Sequence, residues 1–326
     1  MKKPLEMVCP AGTLTALKHA VDAGADTVYV GFADETNARN FPGLNFTREE
    51  LEEGVAYAHA QNRHVYLAVN TYARAGDSDV WRAALKDADR IGVDAVILAD
   101  VGLLAYCHAH YPRLRKHLSV QASASNANAI NFYVEKFDVK RVVLPRVLTI
   151  EEIAALNKRI SVETEIFVFG GLCVMAEGRC SLSSYATGKS PNVNGVCSPA
   201  NCVKYEENDG ELKSKLGEFT INQFQEGEPA SYPVICKGRF LTQGEPMYVF
   251  EEPTSLNMIQ NLSAIREAGV CALKIEGRQR GKAYIEKVIK QFKAALADDE
   301  NANVSSLSSV SEGQQGTTGS YDEGWQ

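Results

Sequence analysis

Cys173, Cys180, Cys197 and Cys236 are the residues of this 326-residue chain whose type and setting could do chemistry. They are spaced C-x6-C-x16-C-x38-C and lie beside Arg179, Lys204, Lys237 and Arg239. Structural zinc sites commonly use tight cysteine knuckles, and no C-x2-C pair occurs here. Loosely spaced thiolates drawn from several loops suit an iron–sulfur cluster better. The flanking cations would offset the cluster's negative charge. Gly170, Gly171, Gly178, Gly195 and Gly238 would let backbone N–H groups approach the sulfurs. Zinc and a plain set of buried structural cysteines stay open as alternatives. Cys202 makes a fifth thiol for four corners and competes with Cys197. Cys9, Cys107 and Cys271 lie inside apolar runs and read as small core residues.

Other chemistries lack their residues. There is no G-x-S-x-G and no H-E-x-x-H, so serine and metallopeptidase chemistry have no motif. All six histidines precede residue 118. No P-loop is present, and no G-x-G-x-x-G follows a strand.

The composition, 45% hydrophobic and 23% charged, is that of an ordinary soluble protein. A net charge of −7 offers no electrostatic footprint for nucleic acid, and none is expected as the main partner. No apolar run approaches the ~20 residues of a membrane span, and no secretory signal is visible. The expected location is a reducing cytoplasm, where clustered cysteines read as ligands before disulfides.

The elements that must position the thiols form a weak repeat. Helices end near a Gly or polar turn, and short apolar strands follow, as in AGADTVYVG, IGVDAVILAD and AGVCALKIEGR. Strands are predicted at Leu5–Cys9, Thr27–Val30, His64–Asn70, Ala95–Leu98, Leu118–Gln121, Arg141–Leu144, Glu163–Phe169 and Cys271–Ile275. Helical stretches separate them; Thr47 and Glu50 form a capping box that opens one. Continuous apolar strands alternating with helices signal a covered parallel sheet. The expected fold is α/β, a TIM-type (β/α)8 barrel, complete or distorted, with an open doubly wound sheet as the runner-up. The barrel is assigned to residues 1–170 and 262–298. A cysteine-bearing, β-rich insert spans 171–261, with strand-like pieces at Glu218–Ile221 and Met247–Phe250. The tail covers 299–326, and its Tyr321 and Trp325 could dock.

A barrel's chemistry sits at the C-terminal ends of its strands. Asn70, Gln121, Arg146, Glu276 and Arg278 fall there, and the loop after the second strand adds Asn37, Arg39 and Asn45. Converging arginines and amides suit a small anion with carboxylates. The bland alternative is a structural ion pair between Glu276 and Arg278 at the rim.

One run carries a family resemblance: Glu165-x-Phe167-x2-Gly170-Gly171-Leu172-Cys173-x4-Gly178-x-Cys180-x-Leu182-Ser183. It resembles the signature of the collagenase-like peptidase family U32, except that Gly171 stands where Ser or Ala is usual. The chain is most similar to the branch of that family that works in ubiquinone biosynthesis. CPAG, TNARNFPGLNFT, VQASASNANAINFY, SPNVNGVCSPA, EEPTSLN and KIEGRQR carry this likeness through nearly the whole chain, and SEGQQGTTGSYDEGWQ extends it into the tail. The resemblance implies a [4Fe–4S] cluster on Cys173, Cys180, Cys197 and Cys236, with Cys202 a bystander. It implies a heterodimer with a UbiV-like homologous subunit and O2-independent hydroxylation of a quinone precursor. The implied oxygen donor is prephenate, a dicarboxylate that matches the Arg- and Asn-lined mouth. Other members of the family hydroxylate tRNA or rRNA.

Overall fold

The structure is a computed structural model and describes residues 4–41, 43–173, 180–191, 197–208, 210–228, 230, 232–297 and 303–323. Eight short strands are its frame: β1 Glu6–Pro10, β2 Thr27–Gly31, β3 His64–Val69, β4 Ala95–Leu98, β5 Lys116–Leu118, β6 Val139–Val143, β7 Glu163–Gly171 and β8 Ala272–Ile275. β8 pairs with β1, each strand then pairs with the next, and β7 pairs back with β8. All these pairings are parallel, so the chain forms a closed eight-stranded α/β barrel with helices outside. Every residue of β2 and β4 is buried, which is why their sequences read as unbroken apolar runs.

Local signals account for most helix starts. Thr47 caps the Arg48–His59 helix, and Glu50 closes the capping box. Thr149 and Glu152 do the same for Ile150–Asn157. Two layers of core result. The outer one lies between strands and helices and includes Leu17, Trp81, Ile130 and Phe292. The inner one, inside the barrel, includes Val8, Tyr29, Tyr66 and Ile97.

The barrel interior also holds ions. Arg141 donates to Glu6 at 2.6 Å, Glu163 at 2.7 Å and Glu165 at 3.3 Å, and Lys274 reaches Glu165 at 2.6 Å. Burial penalises the Arg141 guanidinium, yet its bonds to Glu6 and the charge of Glu165 outweigh that and hold it more strongly protonated than usual. Buried charges of this kind persist because each is paired.

Two expectations need correcting. The fifth strand is Lys116–Leu118, and Val120–Ala122 is a 3-10 turn capped by Ser119. Lys116 and His117 look like loop residues, but both are fully buried, and Lys116 Nζ donates to the Leu114 carbonyl at 3.1 Å. Cys271 is half-buried, unlike Cys9 and Cys107.

Between β7 and β8 stands an antiparallel sheet of Val203–Asn208, Glu211–Leu216 and Phe219–Phe224, followed by a hairpin of Arg239–Thr242 with Glu245–Tyr248. Ser255–Asn257 then pairs antiparallel with Phe169–Gly171 at the end of β7. The tail's Gly316–Thr317 adds parallel to that strand. Leu307 and Tyr321 of the tail enter the main core. Trp325 lies outside the described residues.

Candidate functional site

The C-terminal ends of the strands surround an open cavity. Its lining includes Tyr29, Arg39, Asn70, Gln121, Arg146, Phe167, Gly171, Lys274, Glu276, Arg278, Arg280, Tyr284 and Glu312. Six of the eight anion-site residues named from the sequence are therefore brought together. Asn37 and Asn45 are not in this lining. They stand behind it and hold two of its arginines.

Asn37 is fully buried and packs on Gly31, where an added Cβ would meet its Nδ2 at 2.3 Å. Asn37 Nδ2 donates to the Phe32 carbonyl at 3.1 Å and to Asn45 Oδ1 at 2.9 Å. Its Oδ1 accepts from Arg278 Nη1 at 2.7 Å and from the Arg39 amide at 3.0 Å. Asn45 takes the left-handed conformation, φ 79°, and donates to the Arg39 carbonyl at 3.0 Å. The asparagine-rich loop is thus a cradle that aims Arg39 and Arg278.

Arg278 lies over the Tyr29 ring, 5.5 Å from its centroid. Burial pulls its guanidinium down to about 10, and Arg39 adds repulsion. The rim pair Glu276–Arg278 does not form. Glu276 instead accepts from Arg146 Nη2 at 2.7 Å, and Arg146 stacks 3.8 Å over Phe167. Gly277 explains the divergence: its φ of 149° turns the chain between the two side chains. Asn70 Oδ1 accepts from the Ala38 amide at 3.1 Å. Gln121 Oε1 is buried and has no hydrogen-bond partner, an orphan polar atom in the cavity wall.

The sequence reading missed Lys274, Arg280, Tyr29 and Glu312. Alternation of charge in Lys274-Ile275-Glu276-Gly277-Arg278-Gln279-Arg280 was an available signal for the first two. Glu312 comes from the tail and has no local signal; it ion-pairs with Arg280 at 3.3 Å and with Lys237. The lining contains five cationic residues, Arg39, Arg146, Lys274, Arg278 and Arg280, against the carboxylates Glu276 and Glu312. That balance suits a small molecule with two carboxylates.

The thiols adjoin this cavity. Gly171 lines it, and Cys173 follows two residues later. Cys180 caps the Ser181–Thr187 helix, its Sγ accepting from the Ser183 amide at 3.3 Å. Ser183 Oγ donates to the Cys197 carbonyl. Cys236 sits in the Ile235–Lys237 turn, and its carbonyl accepts from the Glu251 amide at 3.1 Å. Burial pushes its thiol up to about 12, and the nearby Cys173, Cys197 and Cys180 add to the rise. Cys236 therefore lies within electrostatic reach of the other three sulfurs, and none of the four is in a disulfide. Among the described residues, no three His, Cys, Asp or Glu side chains converge on a single ion position. Four separate thiols have the donor chemistry of a polynuclear iron–sulfur cluster, which takes one thiolate at each iron. Cys202 packs on the small core of Leu216, Ile221 and Ile235.

Of the flanking cations, Lys237 pairs with Glu312 and also favours the Cys236 thiolate, Arg239 pairs with Glu228 at 2.9 Å, and Lys204 is exposed. Gly170 packs against Glu276, and Gly238 against Phe240 and Ile221. Arg179, Gly178 and Gly195 lie outside the described residues.

A family model, that of Peptidase family U32, matches residues 12–322. An uncharacterized protease of Methanocaldococcus jannaschii is 35% identical over 297 residues, covering 90% of this chain and 65% of that protein. The tRNA hydroxylation protein P of Escherichia coli is 31% identical over 317 residues, covering 91% and 69%. A tRNA hydroxylation protein of Bacillus subtilis is 31% identical over 304 residues, covering 92% and 65%. The chain thus spans about two thirds of the length of these curated relatives.

Proposed function

Because the chain belongs to peptidase family U32, we propose that it is the iron–sulfur subunit of an O2-independent hydroxylase. The observation that carries this reading is adjacency: β7 delivers Gly171 to the cationic cavity and Cys173 to the thiol set. Relatives named for tRNA hydroxylation support hydroxylation over peptide cleavage, and the sequence carries no serine or metallopeptidase motif.

Cys173, Cys180, Cys197 and Cys236 would hold a [4Fe–4S] cluster, which supplies redox or Lewis-acid chemistry when bound. The chain's other residues prepare a small dicarboxylate. Arg146 and Arg278 bind its carboxylates, and Arg39 and Arg280 narrow the mouth around it. The Gln121 amide meets a polar atom of the ligand, and the Phe167 and Tyr29 rings exclude water from its flank.

The finer assignment is ring hydroxylation of a quinone precursor in ubiquinone biosynthesis, with prephenate as oxygen donor and a homologous subunit as partner. Motif likeness over nearly the whole chain and the net charge of −7 support it against an RNA substrate. The partner is supported by the exposed Tyr185, Leu241, Met247, Val249 and Phe250, which concentrate on the segment between β7 and β8. A second reading, RNA hydroxylation, is favoured by the 31% identity to relatives so named.

Deletion during anaerobic growth, with ubiquinone and RNA nucleosides measured by mass spectrometry, tests both. Lost ubiquinone with intact nucleosides is expected. Normal anaerobic ubiquinone sinks the quinone assignment, and a missing hydroxylated nucleoside transfers the activity to RNA.

A further inference from the structure

We propose that Lys274 captures the carbonyl of a 2-oxo carboxylate as a Schiff base in the barrel mouth. The inference rests on the reading of the cavity as a carboxylate site and adds a covalent step to it.

Lys274 is on β8, and its side chain is only 7% exposed, yet it lines the cavity. Its Nζ lies 2.6 Å from Glu165 Oε1 and 3.9 Å from the centroid of the Tyr29 ring. Among the described residues the other buried lysine, Lys116, bonds a backbone carbonyl and is not in the cavity wall. Covalent lysines need an amine that can lose its proton, which desolvation and nearby cations promote. Lys274 has both: burial lowers its pKa most, Arg278 and Arg141 add to the effect, and Glu165 opposes it. The same carboxylate that opposes is placed to receive the proton. Arg278 and Arg146 line the cavity with it. A carboxylate bound there sets a neighbouring carbonyl, rather than a distant one, before the amine. That selects 2-oxo acids over simple aldehydes.

The step balances without an external oxidant. Glu165 takes a proton from the ammonium, and the free amine adds to the carbonyl carbon. The carbinolamine hydroxyl then leaves as water with the proton returned by Glu165. A protonated imine remains, so one C=O becomes one C=N and one water is released, with no change of oxidation state.

The test uses the full chain, purified anaerobically, with α-ketoglutarate as probe and cyanoborohydride to reduce any imine. Peptide mapping by mass spectrometry should find one adduct, at Lys274. Glutarate, which lacks the carbonyl, should suppress it about tenfold when present at ten times its Kd. Lys274→Arg should abolish it; should that variant fail to fold, mapping and glutarate competition on the unaltered chain still decide. No adduct at Lys274, or adducts spread over surface lysines and indifferent to glutarate, overturns the inference. Calorimetry with glutarate separates the two levels. Binding without an adduct removes the Schiff base alone, whereas no binding removes the carboxylate site and the inference together.

Discussion

Glu312 and Lys237 form an ion pair that ties the tail to the residue following Cys236, while the other oxygen of Glu312 meets Arg280 in the cavity wall. One carboxylate therefore neutralises cations on both the thiol side and the substrate side. Glu312→Gln keeps the polar shape and removes the charge. Glutarate affinity, read by calorimetry, should rise about 3-fold to 10-fold, the scale of one partly exposed ion pair. Unchanged affinity would show that the tail has no electrostatic part in the mouth.

The thiol assignment makes an iron count decisive. Anaerobically purified protein should carry about four irons and four sulfides per chain. Alanine at Cys173, Cys180, Cys197 or Cys236 should bring the iron below about half of that and flatten the visible absorption. Cys202→Ala should retain it, because Cys202 packs on Leu216 and Ile221 instead. Iron loss in Cys202→Ala with retention in Cys197→Ala would reverse the choice between them.

Arg278 is held by Asn37 on one side and Tyr29 on the other. Lysine cannot reproduce its planar fork. Arg278→Lys should weaken glutarate binding about tenfold, roughly 1.4 kcal/mol, with circular dichroism unchanged. Wild-type binding by this variant would remove Arg278 from the site.

Gly170 occupies φ 122°, and a Cβ there would stand 2.7 Å from the Glu276 Cβ and 2.9 Å from its carbonyl oxygen. Gly170→Ala should cost about 2–4 kcal/mol from strain and overlap together. A fall in the thermal midpoint checks this, and a midpoint within a degree of wild type would contradict it.

His117 gives a pH dependence with a definite sign. Burial, then Arg141 and Arg115, hold its pKa well below 6.5, and its Nε2 accepts from Arg115 Nε at 2.9 Å. The unfolded chain takes up a proton below pH 6.5, and the folded chain does not. His117 thus contributes its stability fully above pH 6.5, and that contribution falls by about 1.4 kcal/mol per pH unit on acidification. Urea titrations between pH 7 and 5 should show this slope, and His117→Gln should flatten it. The carboxylates held low by Arg141, Glu6 and Glu163, act in a more acidic window.

Most strands were legible because their apolar runs are buried on both faces, as with Val28 in the outer core and Tyr29 in the inner core of β2. β5 was misplaced because Lys116 and His117 advertise solvent while lying in the interior. The cavity was partly legible through the barrel rule, which points to strand ends and so found Arg146, Gln121 and Arg278. Lys274 escaped it by lying within β8, and Glu312 by arriving from the tail. The alternative of a rim pair between Glu276 and Arg278 stayed open in the sequence because adjacency says nothing of the φ at Gly277. Of the interior ions, Glu6 of β1 and Arg141 of β6 come from strands brought together only on closure, whereas Arg141 and Glu165 sit on neighbouring strands.

β7 ends in a fork: its body closes the barrel against β8, and its last residues pair with Ser255–Leu256, itself paired with Gly316–Thr317. Translation therefore delivers the components out of step with assembly. The cylinder can close once β8 has been made, but the platform beside Cys173 stays unfinished until Gly316–Thr317 emerges. A cluster held as proposed would find that platform complete only after residue 317 has been made.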